Sequence, residues 1–306
     1  MSFNIRQIRY FVAAAEAGKV VGAASAVGIS PSAITEAIQD LEETVGTPLV
    51  TRHRDGIKLT YDGYVFLQHC KNILSALAAA TRSVGQHRPR VAGELSIGVT
   101  ITVAGYFLAA PLARFRRSFP EVAVTIKELE RAVIEKQLAR GELDLGILLV
   151  SNLERRDVLA TETLAKSRRR LWTSTGHPLL AKPKVTLKDV AQEPYIQLLI
   201  DEAAATTLSY WSKFKLKPNV IFHTESVEAV RSLVATGTGI TILSDMVYRP
   251  WTLEGHRIDL KTLDDEVHTM DVGLAWKSKA RLSPAARAFC EFVALAYPGS
   301  DPVHFD

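Results

Sequence analysis

A chain of 306 residues exceeds one ordinary domain, and 47% hydrophobic residues supply enough apolar side chain for two or three separate cores. No apolar run approaches a membrane-spanning length, and the opening MSFNIRQIRYFVAAAEAG lacks the charged, apolar, small-residue order of a secretory signal. These features argue against a membrane protein and lead us to expect a cytoplasmic one. The net charge of +4 is uneven: residues 1–90 hold ten Lys and Arg against seven Asp and Glu, a mild asymmetry compatible with a polyanionic partner for the N-terminal third. Cys70 and Cys290 lie far apart without metal-ligand spacing and read as small buried hydrophobes, so no metal and no cofactor are expected.

Spacing of apolar residues predicts a helix over 5–17, with Ile8, Phe11, Val12 and Ala15 inward and Gly18 as its stop. A short helix follows through Val20, Ala23, Ala24 and Val27, ended by Gly28. Ser30 then stands as N-cap and Pro31 at the first helical position, where a missing N–H costs nothing. The next helix buries Ile34, Ile38, Leu41 and Val45 and turns Ser32, Glu36 and Gln39 outward, with Thr35 on the flank. This is a helix-turn-helix whose second helix offers polar side chains where a DNA reader needs them. A plain helical hairpin with a solvated face would share the pattern.

Two extended segments, 49–52 and 57–60, flank the loop His53-Arg54-Asp55-Gly56, and Asp-Gly is a hairpin signal. A hairpin here is a wing, with Arg52, Arg54 and Lys58 placed to meet phosphates. From Thr60 a long helix to about Arg88 carries Phe66, Cys70, Ile73, Leu77, Ala80 and Val84 in a heptad seam, expected to pair with its copy in a second chain. Such a homodimer sets two reading helices about one turn of duplex apart, so the operator should be pseudo-palindromic. Residues 85–93 read as a linker.

Beyond Gly93, strands at 95–99, 122–129 and 143–149 alternate with helices at 106–119 and 133–140, an order that implies a parallel sheet. A second set follows: strands 170–174, 195–199, 220–223 and 240–243 with helices 206–215 and 227–236. Strand 267–276 and helix 284–296 return to the first lobe. The fold class is α/β with an N-terminal winged helix-turn-helix, divided as 1–60, a linker and dimerisation helix over 61–90, and a two-lobed domain over 91–306. Lobe I takes 91–162 with 267–300, and lobe II 163–266. The cleft between lobes is the default ligand site. Arg168-Arg169-Arg170 reads as a solvated edge or subunit contact.

The chain resembles the LysR-type transcriptional regulators over essentially its whole length. The resemblance rests on Ala23-Ala24, Ile29-Ser30-Pro31-Ser32-Ala33-Ile34-Thr35, Ile38 with Leu41-Glu42, Gly46, Leu49, Arg52, and Leu59-Thr60 with Gly63. Further along, Gly93-Glu94-Leu95 with Ile97-Gly98, Gly141-Glu142-Leu143-Asp144-Leu145, His177-Pro178-Leu179 and Gly237-Thr238-Gly239-Ile240 follow in order. The resemblance implies a periplasmic-binding-protein-like effector domain of the type 2 class, a homotetramer, double-stranded DNA and a small metabolite as partners, and RNA polymerase as a further contact. Pro31 stands where the family often has Gln, Thr35 where Ser is usual, and Ala37 in place of a frequent Gln. Lys19 and Val21 replace small hydroxyl residues. Base contacts should differ accordingly.

On the reading helix, Gln39 can pair with adenine and Glu36 can accept from cytosine N4, or Glu36 can hold a neighbouring arginine. In the effector domain, the resemblance points to Thr100 and Thr102 after the first strand. Arg131 follows the second strand, and Gln197 and Thr238 would face them from the other lobe. Together these suggest an anionic effector gripped by a helix N-terminus and a guanidinium; helix-capping threonines and a solvated arginine are the plainer reading. An enzyme or a small-molecule-binding protein on a clamshell α/β fold is the alternative class, and an architectural DNA-binder a further one. Nucleophile elbow, phosphate loop and metal-ligand motifs are absent from the sequence, and Gly237-Thr238-Gly239 is too short for a dinucleotide fingerprint.

Overall fold

Asn4 and Gln7 exchange side-chain-to-backbone hydrogen bonds, a capping box that starts helix α1 (Ile5–Ala17). In this computed structural model, residues 3–53, 56–83 and 91–296 are described. Helix α2 (Val20–Val27) ends at Gly28 in the left-handed conformation, and α3 (Pro31–Val45) opens with the Ser30 hydroxyl accepting the Ala33 N–H at 3.2 Å. The chain turns through 106° between α2 and α3, the angle of a helix-turn-helix. Ile8, Phe11, Ala14, Ala23, Ala24, Ile34, Ile38 and Leu41 form the core of this unit. Val45, expected inside, is 38% exposed; it is the last residue of α3, where the chain leaves the core at Gly46, and Ala37 is buried instead.

The Glu42 carboxylate accepts the N–H groups of Leu49 and Val50 at 2.8 and 3.0 Å, which aims the chain into β1 (Val50–His53), antiparallel to β2 (Gly56–Leu59). The Ile57 N–H donates to the Gly18 carbonyl at 2.9 Å, and a Cβ on Gly56 would stand 2.1 Å from that oxygen, so the wing closes on α1 only with glycine there. Helix α4 (Tyr61–Ser83) meets the same demand at Gly63, where a Cβ would come within 1.8 Å of the Leu49 carbonyl.

The seam expected along α4 divides. Leu67 and Cys70 are buried in the helix-turn-helix core, with Phe66 5.4 Å from Phe11. Burial pushes the Cys70 thiol up to about 11. Ile73 and Leu77 are 38% and 37% exposed. The Ala80 side chain, Val84 and most of the linker fall outside the described residues.

The chain divides into two units, Met1–His87 and Arg88–Asp306. The second contains two lobes. The sheet of the first has the order β4-β3-β5-β12-β6, from β3 (Gly93–Val99), β4 (Val122–Glu128), β5 (Leu145–Leu149), β6 (Leu159–Ser167) and β12 (Met270–Lys277). Helix α5 (residues 101–118) runs through a π segment at Ala104–Leu108, α6 spans Arg131–Arg140, and α11 (Pro284–Ala296) packs Phe289 4.9 Å from Phe115. The second lobe has β7 (Arg169–Ser174), short helices α7 (Pro178–Ala181) and α8 (Leu187–Val190), β8 (Pro194–Leu198), α9 (Ala203–Lys213), β9 (Asn219–Thr224), α10 (Val227–Ala235), β10 (Thr241–Ser244) and β11 (Ile258–Lys261). Strand β8 pairs in parallel with β9, and a parallel bridge from Tyr195 to Ile240 joins this pair to the antiparallel β10-β7-β11.

The sheets are therefore mixed, not wholly parallel as the strand–helix alternation implied. In each lobe the antiparallel strand beside the parallel trio, β12 or β7, is delivered by a crossing between lobes. Strands β6 and β11 carry no strong apolar signal in the sequence. Because β6 belongs entirely to the first sheet, the first crossing lies at Arg168, later than the boundary expected at 162. The arginine run marks this hinge: Arg169 donates to the carbonyls of His268 and Thr269 on the return crossing, and Arg170 pairs with Asp245 at 2.6 Å.

Candidate functional site

Helix α3 presents Ser32, Glu36 and Gln39 to solvent, with Thr35 half-buried at the edge of the same face. The Ser32 hydroxyl meets that of Ser30 at 2.9 Å. Glu36 makes no ion pair and Gln39 no hydrogen bond with any described residue. A hydrated carboxylate and carboxamide one helical turn apart, above a core that fixes the helix, can exchange water for base edges without breaking an internal bond.

On the wing, strand register separates two expected phosphate contacts. Arg52 pairs across the ribbon with Ile57, and Lys58 with Thr51, so Arg52 and Lys58 occupy opposite faces. Val50, Ile57 and Leu59 turn their common face to the core, which leaves Lys58, Thr51 and His53 on the outer one. Arg54 lies outside the described residues.

Between the lobes is a cavity of about 510 Å³, lined by Arg131, Asn152, Glu154, Glu202, His268 and Asp271, with the hydroxyls of Ser151, Thr206, Ser209 and Thr269. Arg131 is its centre and is not solvated: Nη1 meets Glu135 at 2.5 Å, Nη2 meets Glu154 at 2.8 Å, and Nε meets Glu202 at 3.0 Å. Burial opposes its charge, but hydrogen bonds and charges from Glu135 and Glu202 outweigh that and hold the guanidinium above its ordinary value. The guanidinium is thus already engaged by three carboxylates, not held open for an incoming anion.

The anion position at the start of α5 is also filled from within. Thr100 is the N-cap residue, 2% exposed, and its hydroxyl makes neither a capping bond nor any other. The Thr102 N–H instead donates to the Asp201 carboxylate at 2.8 Å. Asp201 and Glu202 come from the second lobe, between β8 and α9, and both take left-handed backbone angles, φ 47° and 58°. Such angles in consecutive non-glycine residues are strained, by about 1–3 kcal/mol each, and persist where surrounding contacts hold them. Here the contacts are Thr102, Arg131 and the Asn152 amide, all in the first lobe.

The remaining expected residues are placed elsewhere. Gln197 is buried and lines a different cavity, in the second lobe, with its amide donating to the Leu198 carbonyl at 2.6 Å. Thr238 is exposed, 3.2 Å from the Thr236 hydroxyl, and lines neither cavity. Sequence reading missed Asn152, Glu154, Asp201, Glu202 and Asp271. The readable signal was the Asp-Glu pair directly between an apolar strand and a helix. No group of three or more metal-ligating side chains occurs among the described residues, and no described single helix is long and apolar enough to cross a membrane.

Residues 5–64 match the family model described as bacterial regulatory helix-turn-helix protein, lysR family, and residues 88–296 match that of the LysR substrate binding domain. The uncharacterized HTH-type transcriptional regulator YnfL of Escherichia coli (strain K12) is 30% identical over 302 residues, covering 94% of this chain and 97% of that protein. The crystal structure of HinK, a LysR family transcriptional regulator from Pseudomonas aeruginosa, superposes with a TM-score of 0.60 at 28% identity, covering 96% of this chain and 98% of that one. Full-length CbnR in complex with its target DNA shares the fold, with a TM-score of 0.54 at 22% identity over 96% and 100% of the two chains.

Proposed function

Because this chain belongs to the LysR family, whose members are transcriptional regulators and not enzymes and bind DNA and small-molecule effectors, we propose that α3 reads its operator through Gln39, Glu36, Ser32 and Thr35. The observation that carries this reading is the exposed polar face of α3, on which Glu36 and Gln39 hold no internal bond to a described residue, on a turn of 106°. Lys58, Arg52 and Arg54 supply phosphate contacts from the wing, which add affinity without sequence information. Exposure of Ile73 on α4 supports pairing with a second chain and hence a pseudo-palindromic site; a homotetramer would pair two such dimers. In a fluorescence-anisotropy titration with the duplex upstream of its own gene, Gln39→Ala weakens binding about ten-fold or more, in line with the ~1–3 kcal/mol of one bidentate base contact. Binding to a shuffled duplex is unchanged. Equal loss on both duplexes removes Gln39 from the base-reading set.

The interlobe cavity is the effector site in this reading, and the effector is a small monoacid bearing hydrogen-bond donors. Its carboxylate takes over the Thr102 N–H from Asp201, beside Thr100 and Arg131, and its donors meet the acid-rich wall, where an Asp271 oxygen is buried without a partner. Gln197 and Thr238 do not line this cavity. Asp201 is thus a built-in competitor for the Thr102 N–H. Asp201→Asn removes the competing charge and keeps the shape. In isothermal titration against a panel of short-chain and aromatic acids, the variant is expected to bind at least one acid about five-fold or more tighter than wild type. Equal affinity for every acid that binds, or no binding to either protein, contradicts the displacement reading.

A further inference from the structure

We propose that Asp201 and Glu202 form a two-state switch at the start of α9, kinked while they bridge the lobes and helical when released, so that one backbone change frees both donors of the cleft together. The local sequence favours helix. Ile200–Glu202 forms a single 3-10 turn that runs directly into α9 at Ala203. Asp201 and Glu202 are acids where a helix dipole favours them, and Ala203-Ala204-Ala205 follow, the residue type of highest helix propensity. With ordinary helical angles at the two acids, Ile200 to Lys213 would be one continuous helix. The structure instead sets their φ at 47° and 58°. Neither is glycine, and Glu202 has no short polar side chain to ease the left-handed region. The first turn of α9 also goes without a side-chain cap. Local preference and tertiary structure disagree at two adjacent residues only, the mark of an element with a second arrangement close in energy.

The hydrogen bonds that hold the kink come from the first lobe. Asp201 accepts from the Thr102 N–H at 2.8 Å and Glu202 from Arg131 Nε at 3.0 Å. The Asn152 amide donates to the Asp201 carbonyl and the Glu202 carboxylate, both at 3.4 Å. Beyond the kink α9 is fixed in its own lobe: Thr207, Tyr210 and Trp211 are buried, and the Tyr210 hydroxyl meets that of Tyr195 at 3.3 Å. Rearrangement is therefore confined to the acids and the alanines after them. Because the acids share one kink, they let go together. A ligand carboxylate that takes the Thr102 N–H releases Asp201, the helix grows back over both residues, and Glu202 leaves Arg131 Nε open to the same ligand. The bridge between lobes passes from protein to ligand in one step. This trigger rests on the effector reading above; the two-state backbone does not.

The test contains no ligand. Two double variants of the full chain delete the same carboxylates and differ in backbone preference. Asp201→Ala with Glu202→Ala favours helix, whereas Asp201→Gly with Glu202→Gly tolerates the left-handed region and resists helix. In hydrogen–deuterium exchange read by mass spectrometry and corrected for intrinsic rates, the amides of Ala203–Ala205 should exchange about ten-fold or more slowly in the alanine protein than in the glycine protein. Wild type should resemble the glycine protein. Glu202→Ala and Glu202→Gly, a milder pair that keeps Asp201 on Thr102, should differ in the same direction by about three-fold or more. Equal exchange within both pairs overturns the switch, as does wild type exchanging as slowly as the alanine protein. An acid panel that finds no cleft ligand leaves this comparison intact, so the two readings fail separately.

Discussion

Replacing Arg131 with Met is expected to lower the stability of the C-terminal unit by about 3–5 kcal/mol, the range found when one partner of a buried ion pair is removed. The loss comes from what remains. Glu135 is 1% exposed and would be left with only the N–H groups of Glu154 and Arg155, at 3.3 and 2.8 Å, as partners. Glu154 is largely in water and contributes little, and Glu202 is a third exposed. Methionine fills much of the arginine volume, so a cavity is not the cause. Adding Glu135→Gln to the variant removes the stranded charge, keeps an acceptor for the closer of the two N–H groups, that of Arg155, and should recover more than half of the loss. Urea unfolding followed by tryptophan fluorescence measures both. A single-variant loss below about 1 kcal/mol, or no recovery in the pair, shows that the guanidinium cluster is not what braces α6.

Glu162→Gln is expected to act in the opposite direction and to depend on pH. Glu162 sits on β6 opposite Leu274, 3% exposed, and neither carboxylate oxygen has a hydrogen-bond partner. Burial alone pushes its carboxyl from 4.5 up to about 7. A carboxyl that holds its proton more tightly folded than unfolded costs nothing below pH 4.5, where both states are protonated. The penalty grows as pH rises through the window from 4.5 to 7 and is complete above it. At pH 8 the glutamine variant should therefore be more stable by about 3 kcal/mol, and near pH 4.5 the two proteins should nearly coincide. Unfolding midpoints across this range check the sign. A difference that is constant with pH would mean that Glu162 is neutral throughout or finds water.

The helix-turn-helix was legible because its signals are local: Gly28, Ser30 and Pro31 set the turn, and the period of Ile34, Ile38 and Leu41 sets the buried face. The effector domain was legible in its strong strands and obscure in its weak ones. Strand β6 hides because Glu162 breaks its apolar pattern, and a buried charge is the one residue that periodicity assigns to the surface. Arg131 could have been paired with Glu135 from their spacing on one helix, but Glu154 and Glu202 reach it from 23 and 71 residues away. The contacts of Asp201 and Glu202 with the first lobe were hidden for a different reason. Left-handed backbone at Asp201 and Glu202 has no glycine or asparagine to announce it, and it exists only because the other lobe supplies partners. On the wing, side-chain alternation is readable in the sequence and sets Arg52 and Lys58 on opposite faces of the ribbon.

The most direct measurement is the ratio of dissociation constants for a shuffled duplex and for the duplex upstream of its own gene, taken with the full chain at one salt concentration near 150 mM. A regulator that reads bases through α3 gives a ratio of about a thousand or more, since specific sites exceed random ones by at least that factor. A ratio near one, with affinity for both duplexes falling together as salt is raised, would leave the protein with phosphate contacts alone and contradict the account.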